Sequence, residues 1–261
     1  MRFSRLPKVI SGTLLIFFGL ALLAPLPFVV LSPGYAQNVF PNMIKISKPT
    51  YSPSGKLFLT SILISNPDAP VFGAQIIYSW IRSDQVVYPR TVFYPDGASA
   101  KDEVKVAKAQ MSGAQSAAKI AALALLARNF PNGGFQLWRP KDISISVKGT
   151  GGPSGGLVFT LGIVELLTSQ DLFKGRSIAG TGTIDVNGAL GSIGGAAEKL
   201  ITARRAGATI FFAPLKNCSE LRNAPSGLQV IAIGNVQEAV DFLRGSHPLV
   251  PGLQGCRGAL A

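Results

Sequence analysis

The chain has 261 residues, 47% of them hydrophobic, which is ample for one sizeable folded domain. Its net charge of +12 is compatible with nucleic-acid binding, but the basic residues are scattered, without a dense arm or interleaved aromatic residues. We therefore expect no nucleic-acid partner, since a generally basic surface near an anionic membrane explains the charge as well.

The N-terminal region contains one long apolar run. From Val9 to Leu31 the sequence carries no charge over 23 residues, enough to cross a bilayer core of roughly 30 Å. Three basic residues precede the run, and they are Arg2, Arg5 and Lys8. Because positive residues stay cytoplasmic, the pattern predicts a cytoplasmic segment 1–8 and a transmembrane signal-anchor 9–31. The protein is then a single-pass protein of the cell membrane, with its remaining residues on the extracytoplasmic side.

A cleaved signal peptide is the alternative, with Gly34-Tyr35-Ala36 as a small-residue cleavage site. The apolar run is long for a signal peptide, so a retained anchor is favoured. Prolines at 25 and 27 predict a kink at its outer end. After the anchor we expect a linker at 32–41, a globular domain at 42–245 and a C-terminal tail at 246–261.

The first part of the domain combines a strand with a long helix. Residues 56–66, KLFLTSILISN, predict a strand, whereas 75–82, QIIYSWIR, fit a helix or a strand equally. Residues 102–128 predict a helix, most strongly over the alanine-rich run GAQSAAKIAALALLAR. Residues 142–147 alternate with period two and predict a strand.

A glycine-rich loop, VKGTGGPSGG, follows at residues 147–156. Apolar residues then repeat at helical spacing up to Leu167, so Ser154 is expected at or near a helix N-terminus. Such a loop binds a phosphate, exposes a nucleophile or simply forms a turn.

The second part of the domain alternates strands with helices. Residues 177–186 predict a strand, Asn187-Gly188 predicts a type I′ hairpin, and 189–193 form the returning strand. Gly194-Gly195 precede the predicted helix AAEKLITARRAGA. Two further strands and a helix capped by Asn235 complete the pattern, at residues 209–215, 228–234 and 236–245. This alternation predicts an α+β or α/β domain.

The two cysteines, Cys218 and Cys256, have neither a CxxC spacing nor neighbouring histidines. We therefore expect no metal site and no cofactor. In an extracytoplasmic domain a disulfide between them is favoured, and it would hold the C-terminal tail against the domain.

Three chemistries are open to Ser154. The single histidine, His247, lies in a proline-flanked segment beyond the last helix and is a poor catalytic partner. Phosphate binding at a helix start is physically sound, but no Gly-Lys-Ser/Thr follows, so the loop is not a P-loop. Lys199 becomes a base only if burial or a helix N-terminus lowers its pKa from about 10.4. Taken alone, Lys199 is more simply a solvated surface lysine.

The motifs around these residues resemble the proteolytic domain of Lon proteases. GGPSGG around Ser154 resembles the nucleophile loop of that family, and TGTIDVNGALGSIGGAAEKLITARRAGATIFFAP resembles its following block. The resemblance is continuous over residues 143–216. It implies a Ser154–Lys199 catalytic dyad, with Thr181 lining the site and Gly152, Pro153 and Gly155 shaping the loop. The implied fold is the α+β Lon proteolytic domain, related to a domain of ribosomal protein S5.

The N-terminal half resembles, more specifically, bacterial membrane-anchored Lon-like proteases that carry a PDZ domain. Only about fifteen residues separate Leu126 from Asp142, too few for a PDZ module at this point. Gly155 stands where the family usually has alanine, and Ala197 also departs from the lysine motif. The chain has no ATPase region.

The resemblance therefore implies an ATP-independent, membrane-anchored serine endopeptidase that acts on extracytoplasmic proteins or peptides. A homo-oligomeric state is left open. The alternatives are a catalytically silent Lon-like interaction module and a phosphate-binding enzyme of related fold.

Overall fold

A computed structural model describes residues 7–95, 97–245 and 252–256. The helices are α1 (Lys8–Leu23), α2 (Gly73–Ile81), α3 (Ala100–Asn129), α4 (Gly156–Leu167), α5 (Ala196–Arg205) and α6 (Val236–Arg244). The strands are β1 (Pro25–Leu26), β2 (Phe28–Asn38), β3 (Ile44–Ile46), β4 (Lys56–Ile64), β5 (Val71–Phe72), β6 (Val86–Pro89), β7 (Ile143–Ile145), β8 (Ser177–Gly180), β9 (Thr183–Ile184), β10 (Leu190–Gly191), β11 (Ile210–Pro214), β12 (Gln229–Ile233) and β13 (Gly252–Gln254). Three 3₁₀ turns connect α3 to β7.

The chain divides into two compact units. Unit 1 comprises the residues up to Ser32 together with Leu63–Asp102, and unit 2 comprises Pro33–Ile62 together with the residues from Glu103 onward. The single domain predicted at 42–245 is therefore interrupted, because the segment after β4 belongs to unit 1.

Unit 1 is a small assembly built around α1 and α2. The N–H of Gly73, the first residue of α2, donates to the carbonyl of Ala24 at 3.2 Å. A Cβ on Gly73 would overlap the carbonyl oxygen of Ala21, so glycine is required where α2 meets α1. The first residues of β2 pair antiparallel with β6, and Val30 and Ile76 belong to the buried apolar cluster of the unit.

Unit 2 contains a parallel sheet in the order β13-β12-β11-β8-β4. Strand β11 shows how the sheet divides the core. Ile210 and Phe212 belong to one buried cluster with α3, α4 and α6, while Phe211 and Ala213 belong to a second cluster with α5. Because side chains alternate across a strand, α4 and α5 pack on opposite faces of the sheet.

The predicted continuous helix over residues 9–31 is wrong in extent. Helix α1 ends at Leu23, Pro25–Leu26 form β1, and β2 begins at Phe28. Proline has no N–H to continue a helix and clashes with the preceding turn, so the chain changes to strand where prolines 25 and 27 stand. No helix among the described residues combines the length and apolar content needed to cross a bilayer.

The predicted linker at 32–41 is also largely strand, because β2 continues to Asn38. Its residues are held by hydrogen bonds to β4. The hydroxyl oxygen of Ser61 accepts from the N–H of Tyr35 at 2.9 Å, and the Val39 N–H donates to the Leu57 carbonyl at 2.8 Å. Only the last residues of the predicted linker lie outside the strand.

The predicted hairpin after residue 186 is present, but its turn is not type I′. Strands β9 and β10 pair antiparallel, with Ile184 opposite Leu190. Type I′ requires positive φ at both central residues, and among described non-glycine residues a positive φ occurs at Lys174 alone. The Asp185 carboxylate stabilises this turn by accepting from the N–H groups of Asn187 and Ala189 at 2.9 Å each. The Gly188 N–H also donates to the Asp185 carbonyl at 3.1 Å, so an Asx-type turn is added to the backbone turn.

The other predicted elements are confirmed within a few residues. Helices α3, α4, α5 and α6 and strands β4, β7, β11 and β12 lie where the periodicity placed them. The ambiguous segment at 75–82 lies mostly within helix α2. Asn235 caps α6 by accepting from the Glu238 N–H at 3.2 Å. His247 lies outside the described residues.

Candidate active site

The loop that carries Ser154 connects β7 to α4 and turns sharply before the helix. Gly152 has φ +88°, a left-handed conformation that favours glycine, and its N–H donates to the Ala107 carbonyl of α3 at 2.8 Å. Pro153 follows, and α4 begins at Gly156, two residues after Ser154. The serine residue is half-buried.

Gly155 packs closely against the core at the start of α4. A Cβ there would lie 2.8 Å from the ring of Phe159 and 3.1 Å from Cδ1 of Leu59. An alanine would therefore require these side chains to move. Glycine at this position lets the first turn of α4, and with it Ser154, lie close to the sheet.

The loop that carries Ser154 is hydrogen-bonded to the chain at an interruption between β8 and β9. The strand predicted at 177–186 is broken at Thr181 and Gly182. The N–H of Gly182 donates to the Ser154 carbonyl at 2.8 Å, and the Leu157 N–H donates to the Gly182 carbonyl at 3.2 Å. The break therefore supplies backbone groups that fix the loop at Ser154 itself.

Lys199 approaches from the other face of the sheet, on the first turns of α5. The helix begins after Gly195, whose φ of +67° is left-handed, and the Lys199 N–H donates to the Gly195 carbonyl at 3.1 Å. The lysine residue is only 3% exposed. The simple interpretation of a solvated lysine is therefore wrong, because the side chain is buried beside Ser154 and Thr181.

The three predicted polar side chains meet beyond the carboxyl end of β8. Lys199 Nζ lies 2.9 Å from Ser154 Oγ and 3.2 Å from Thr181 Oγ1. The Thr181 hydroxyl in turn donates to the Ser154 carbonyl at 3.3 Å. The amine is thereby aimed at the serine hydroxyl by a threonine that also contacts the serine backbone.

Burial changes the acid–base chemistry of the amine. Removal from water lowers the pKa of Lys199 to about 8 from 10.5, and the carboxylates of Glu220 and Glu198 partly oppose this shift. At pH 7 about one amine in ten is then neutral, against less than one in a thousand for an exposed lysine. A neutral amine accepts a proton, which an ammonium group cannot do.

The start of α5 depends on two residues that carry no local sequence signal. The Glu220 carboxylate accepts from the Ala196 N–H at 3.1 Å, and Asn217 bonds both the N–H and the carbonyl of Ile193. These contacts join residues 24 positions apart, so no short motif reveals them.

An open cleft of about 430 Å³ adjoins the serine loop. It lies between the first half of α3 and residues 147–151, and its apolar lining includes Val104, Ala107, Met111 and Val147. Only Gly152 and Pro153 separate the last residue of this lining, Gly151, from Ser154 in the sequence.

Cys218 and Cys256 form a disulfide, with their Cα atoms 5.8 Å apart. Cys218 follows the turn after β11, and Cys256 follows β13. The bond closes the segment that contains β12 and α6, and β13 lies parallel to β12 at the edge of the sheet.

A serine hydroxyl in contact with a buried amine, on a mixed α/β scaffold, is typical of serine hydrolases that use an amine as base. Residues 115–244 match the Lon protease (S16) C-terminal proteolytic domain. This part of the chain belongs to that family, and Ser154, Thr181 and Lys199 all lie within it.

Individual relatives agree with the family match. The chain is 33% identical over 128 residues to Lon protease 2 of Herpetosiphon aurantiacus, covering 48% of this chain and 14% of that protein. It is 27% identical over 165 residues to Lon protease of Rickettsia typhi, covering 59% of this chain and 21% of that protein. It is 29% identical over 115 residues to Lon protease 2 of Bacillus subtilis, and that match covers 42% of this chain and 20% of that protein. The chain thus spans about a fifth or less of the length of these relatives.

Proposed function

We propose that this protein is a serine endopeptidase in which Ser154 is the nucleophile and Lys199 the general base. The observation that carries the proposal is the 2.9 Å contact between Lys199 Nζ and Ser154 Oγ in a site where Lys199 is almost fully buried. Membership of residues 115–244 in the Lon proteolytic family supports the same chemistry.

The first step is acylation of the serine. The neutral Lys199 amine accepts the proton of Ser154 while Oγ attacks the carbonyl carbon of the scissile peptide bond. Backbone N–H groups of the loop entering α4 stabilise the negative charge on the tetrahedral intermediate. The Lys199 ammonium then donates its proton to the leaving nitrogen, and the peptide bond breaks.

The second step releases the acyl group. Lys199, neutral again, accepts a proton from water as the water oxygen attacks the acyl carbon. The bond between the acyl carbon and Ser154 Oγ then breaks, the new carboxyl terminus leaves, and the Lys199 ammonium returns its proton to Oγ. Thr181 has a supporting role in both steps, because its hydroxyl accepts a hydrogen bond from Nζ while donating to the Ser154 carbonyl. It keeps the amine aimed at Oγ as the amine changes charge.

A serine-directed label tests the nucleophile. The full chain is treated with a fluorophosphonate probe and mapped by peptide mass spectrometry, and cleavage of an unfolded protein is measured in parallel. We expect the label on Ser154, and we expect Ser154→Ala to lose both label and cleavage. Ser146→Ala is the matched control, since Ser146 is exposed and lies in the same loop. Full cleavage by Ser154→Ala would refute the proposal.

We further propose that unit 1 attaches the protein to a membrane. Side chains of α1 from Val9 to Leu23 are largely exposed and apolar, and on α2 Trp80 and Ile81 are 73% and 78% exposed. Apolar surface of this extent favours a membrane or protein partner, and tryptophan is frequent at membrane–water interfaces.

The catalytic residues are proposed to lie on the extracytoplasmic side. Basic residues precede α1 in the sequence, and the Cys218–Cys256 disulfide suits an oxidising compartment. Protease added to cells without their wall is expected to digest residues after α1, and survival of those residues would reverse the orientation.

Membrane attachment has its own control. Trp80→Asp with Ile81→Asp should reduce recovery in the membrane fraction. Leu137→Asp should not, although Leu137 in unit 2 is equally exposed at 78%. Recovery of the unaltered protein in the soluble fraction would contradict attachment.

A further inference from the structure

The direction of the Lys199 side chain depends on how α5 begins. The left-handed Gly195 has no side chain with which to cap the helix, so the N–H groups of the first turn need acceptors from elsewhere. Glu220 supplies one of them from another element, the turn after β11, through Oε2 to the Ala196 N–H at 3.1 Å. A carboxylate is a favourable partner here, because a helix N-terminus carries partial positive charge.

Asn217 holds the segment that enters this helix. Its residue exposure is 2%, its Oδ1 accepts from the Ile193 N–H at 3.0 Å, and its Nδ2 donates to the Ile193 carbonyl at 2.8 Å. The side-chain amide thus pairs with a residue two positions before Gly195 as a neighbouring strand would. Nδ2 also donates to Glu220 Oε1 at 2.7 Å, which joins the two residues into one unit.

The two oxygens of Glu220 are therefore divided between two tasks. Oε1 is held by Asn217, and Oε2 caps the helix that carries the amine. We propose that Asn217 and Glu220 are positioning residues of the dyad, which fix the start of α5 and thereby hold the Lys199 amine against Ser154. The proposal rests on the proposed function, since it assigns these residues a role in the same reaction.

Glu220 also acts on Lys199 through its charge. Two carboxylates influence the amine, Glu198 on α5 itself and Glu220 from the turn after β11, and Glu220 raises the pKa of Lys199 more than Glu198 does. Burial raises the pKa of Glu198 itself above its ordinary value. Loss of the Glu220 charge should therefore lower the pKa of Lys199 further.

Two substitutions at Glu220 distinguish the effect of its charge from the effect of its side-chain length. Glu220→Gln removes the charge but keeps an oxygen able to accept from the Ala196 N–H, whereas Glu220→Asp keeps the charge and shortens the side chain. We expect Glu220→Gln to move the midpoint of the pH profile of kcat/KM to lower pH by about half a unit to one unit. Glu220→Asp should keep the midpoint and lower kcat about tenfold, with KM nearly unchanged.

The experiment measures pH profiles of the full chain, with Glu198→Gln as the matched charge control and Ser154→Ala as the control for the reaction. Glu198→Gln should shift the midpoint less than Glu220→Gln. Asn217→Ala, with its fold checked by circular dichroism, should lower kcat by a larger factor than it changes KM. An unchanged midpoint and unchanged kcat in both Glu220 variants, with activity that depends on Ser154, would overturn the positioning role alone. Activity that survives Ser154→Ala would overturn the proposed function together with it.

Discussion

A buried ionisable group lies at each end of α4, and the two are of opposite kind. Lys199, a residue of α5, contacts Ser154 just before the helix begins, and Glu165 lies in the last turn of the helix itself. At the N-terminal end burial lowers the pKa of Lys199 to about 8, and at the C-terminal end burial raises the pKa of Glu165 to about 8. Both residues are almost inaccessible, at 3% and 2% exposure. Burial thus favours the neutral form at each end by the same physical cause.

What differs is the partner of each group. Lys199 contacts the hydroxyl of Ser154, a half-buried residue. Glu165 accepts from the backbone N–H of Leu172 at 3.1 Å and also shares a side-chain hydrogen bond with Asp171, whose Oδ2 accepts from the Ser54 hydroxyl at 2.5 Å. A shifted pKa therefore reports burial, whereas a reactive neighbour distinguishes a catalytic group from a structural one.

The largest expected effect comes from changing the base. Lys199→Arg should lower kcat/KM by about 10³-fold or more, because guanidinium stays protonated and cannot accept the serine proton. Peptide-cleavage kinetics check this, with Lys141→Arg at an exposed position as the control. Substantial turnover by Lys199→Arg would show that Lys199, like Glu165, is not the base of the reaction.

The pH dependence of activity should follow the ionisation of Lys199 and not that of Glu165. Only the neutral amine is a base, so kcat/KM of the unaltered protein should rise about tenfold per pH unit below the lowered pKa and level off above about 8. Glu165→Gln should leave this midpoint in place, although Glu165 titrates in the same range. A midpoint that moves with Glu165→Gln would show that the two ends are coupled.

Stability should reveal the cost of burying the amine. The folded pKa of Lys199 lies below its ordinary value of 10.5, so stability should rise as pH increases from about 8 to 10.5. Lys199→Met should lack this rise and be more stable at pH 7, by on the order of 1–3 kcal/mol, while being inactive. Denaturant unfolding at pH 7 and pH 10 gives both values, and a less stable Lys199→Met would contradict the argument.

Burial of Glu165 should make stability depend on pH with the opposite sign and a smaller magnitude. The folded pKa of Glu165 lies above its ordinary value of 4.5, so stability should fall as pH rises from 4.5 to about 8. Glu165→Gln keeps an acceptor for the Leu172 N–H and should flatten this fall by about 1 kcal/mol. Unfolding curves at pH 5 and pH 8 test it, and a steeper fall in the variant would count against a neutral Glu165.

The sequence predicts those parts of the molecule whose causes are local. The helical spacing after Ser154, the glycine-rich loop before it and the asparagine cap of α6 each act within a few residues. The resemblance to Lon proteolytic domains then identifies Lys199, which periodicity alone leaves as a surface lysine.

Features that depend on distant partners could not be predicted in this way. The break at Thr181 appears as one strand in the sequence, because the groups that interrupt it belong to the Ser154 loop. The helix cap from Glu220 has no motif, since it acts across 24 residues. The apolar run at 9–31 is one pattern in hydropathy, but prolines and the pairing of β2 with β6 divide it between helix and strand.

The disulfide between Cys218 and Cys256 has a consequence for solubility. Strand β13 has three residues, too few to hold a sheet position firmly, yet it covers the backbone of β12, whose side chains are all buried. The cross-link keeps that cover in place during transient opening. If the thiols are reduced, β12 becomes an open apolar edge able to pair with another chain, so aggregation should precede any loss of secondary structure.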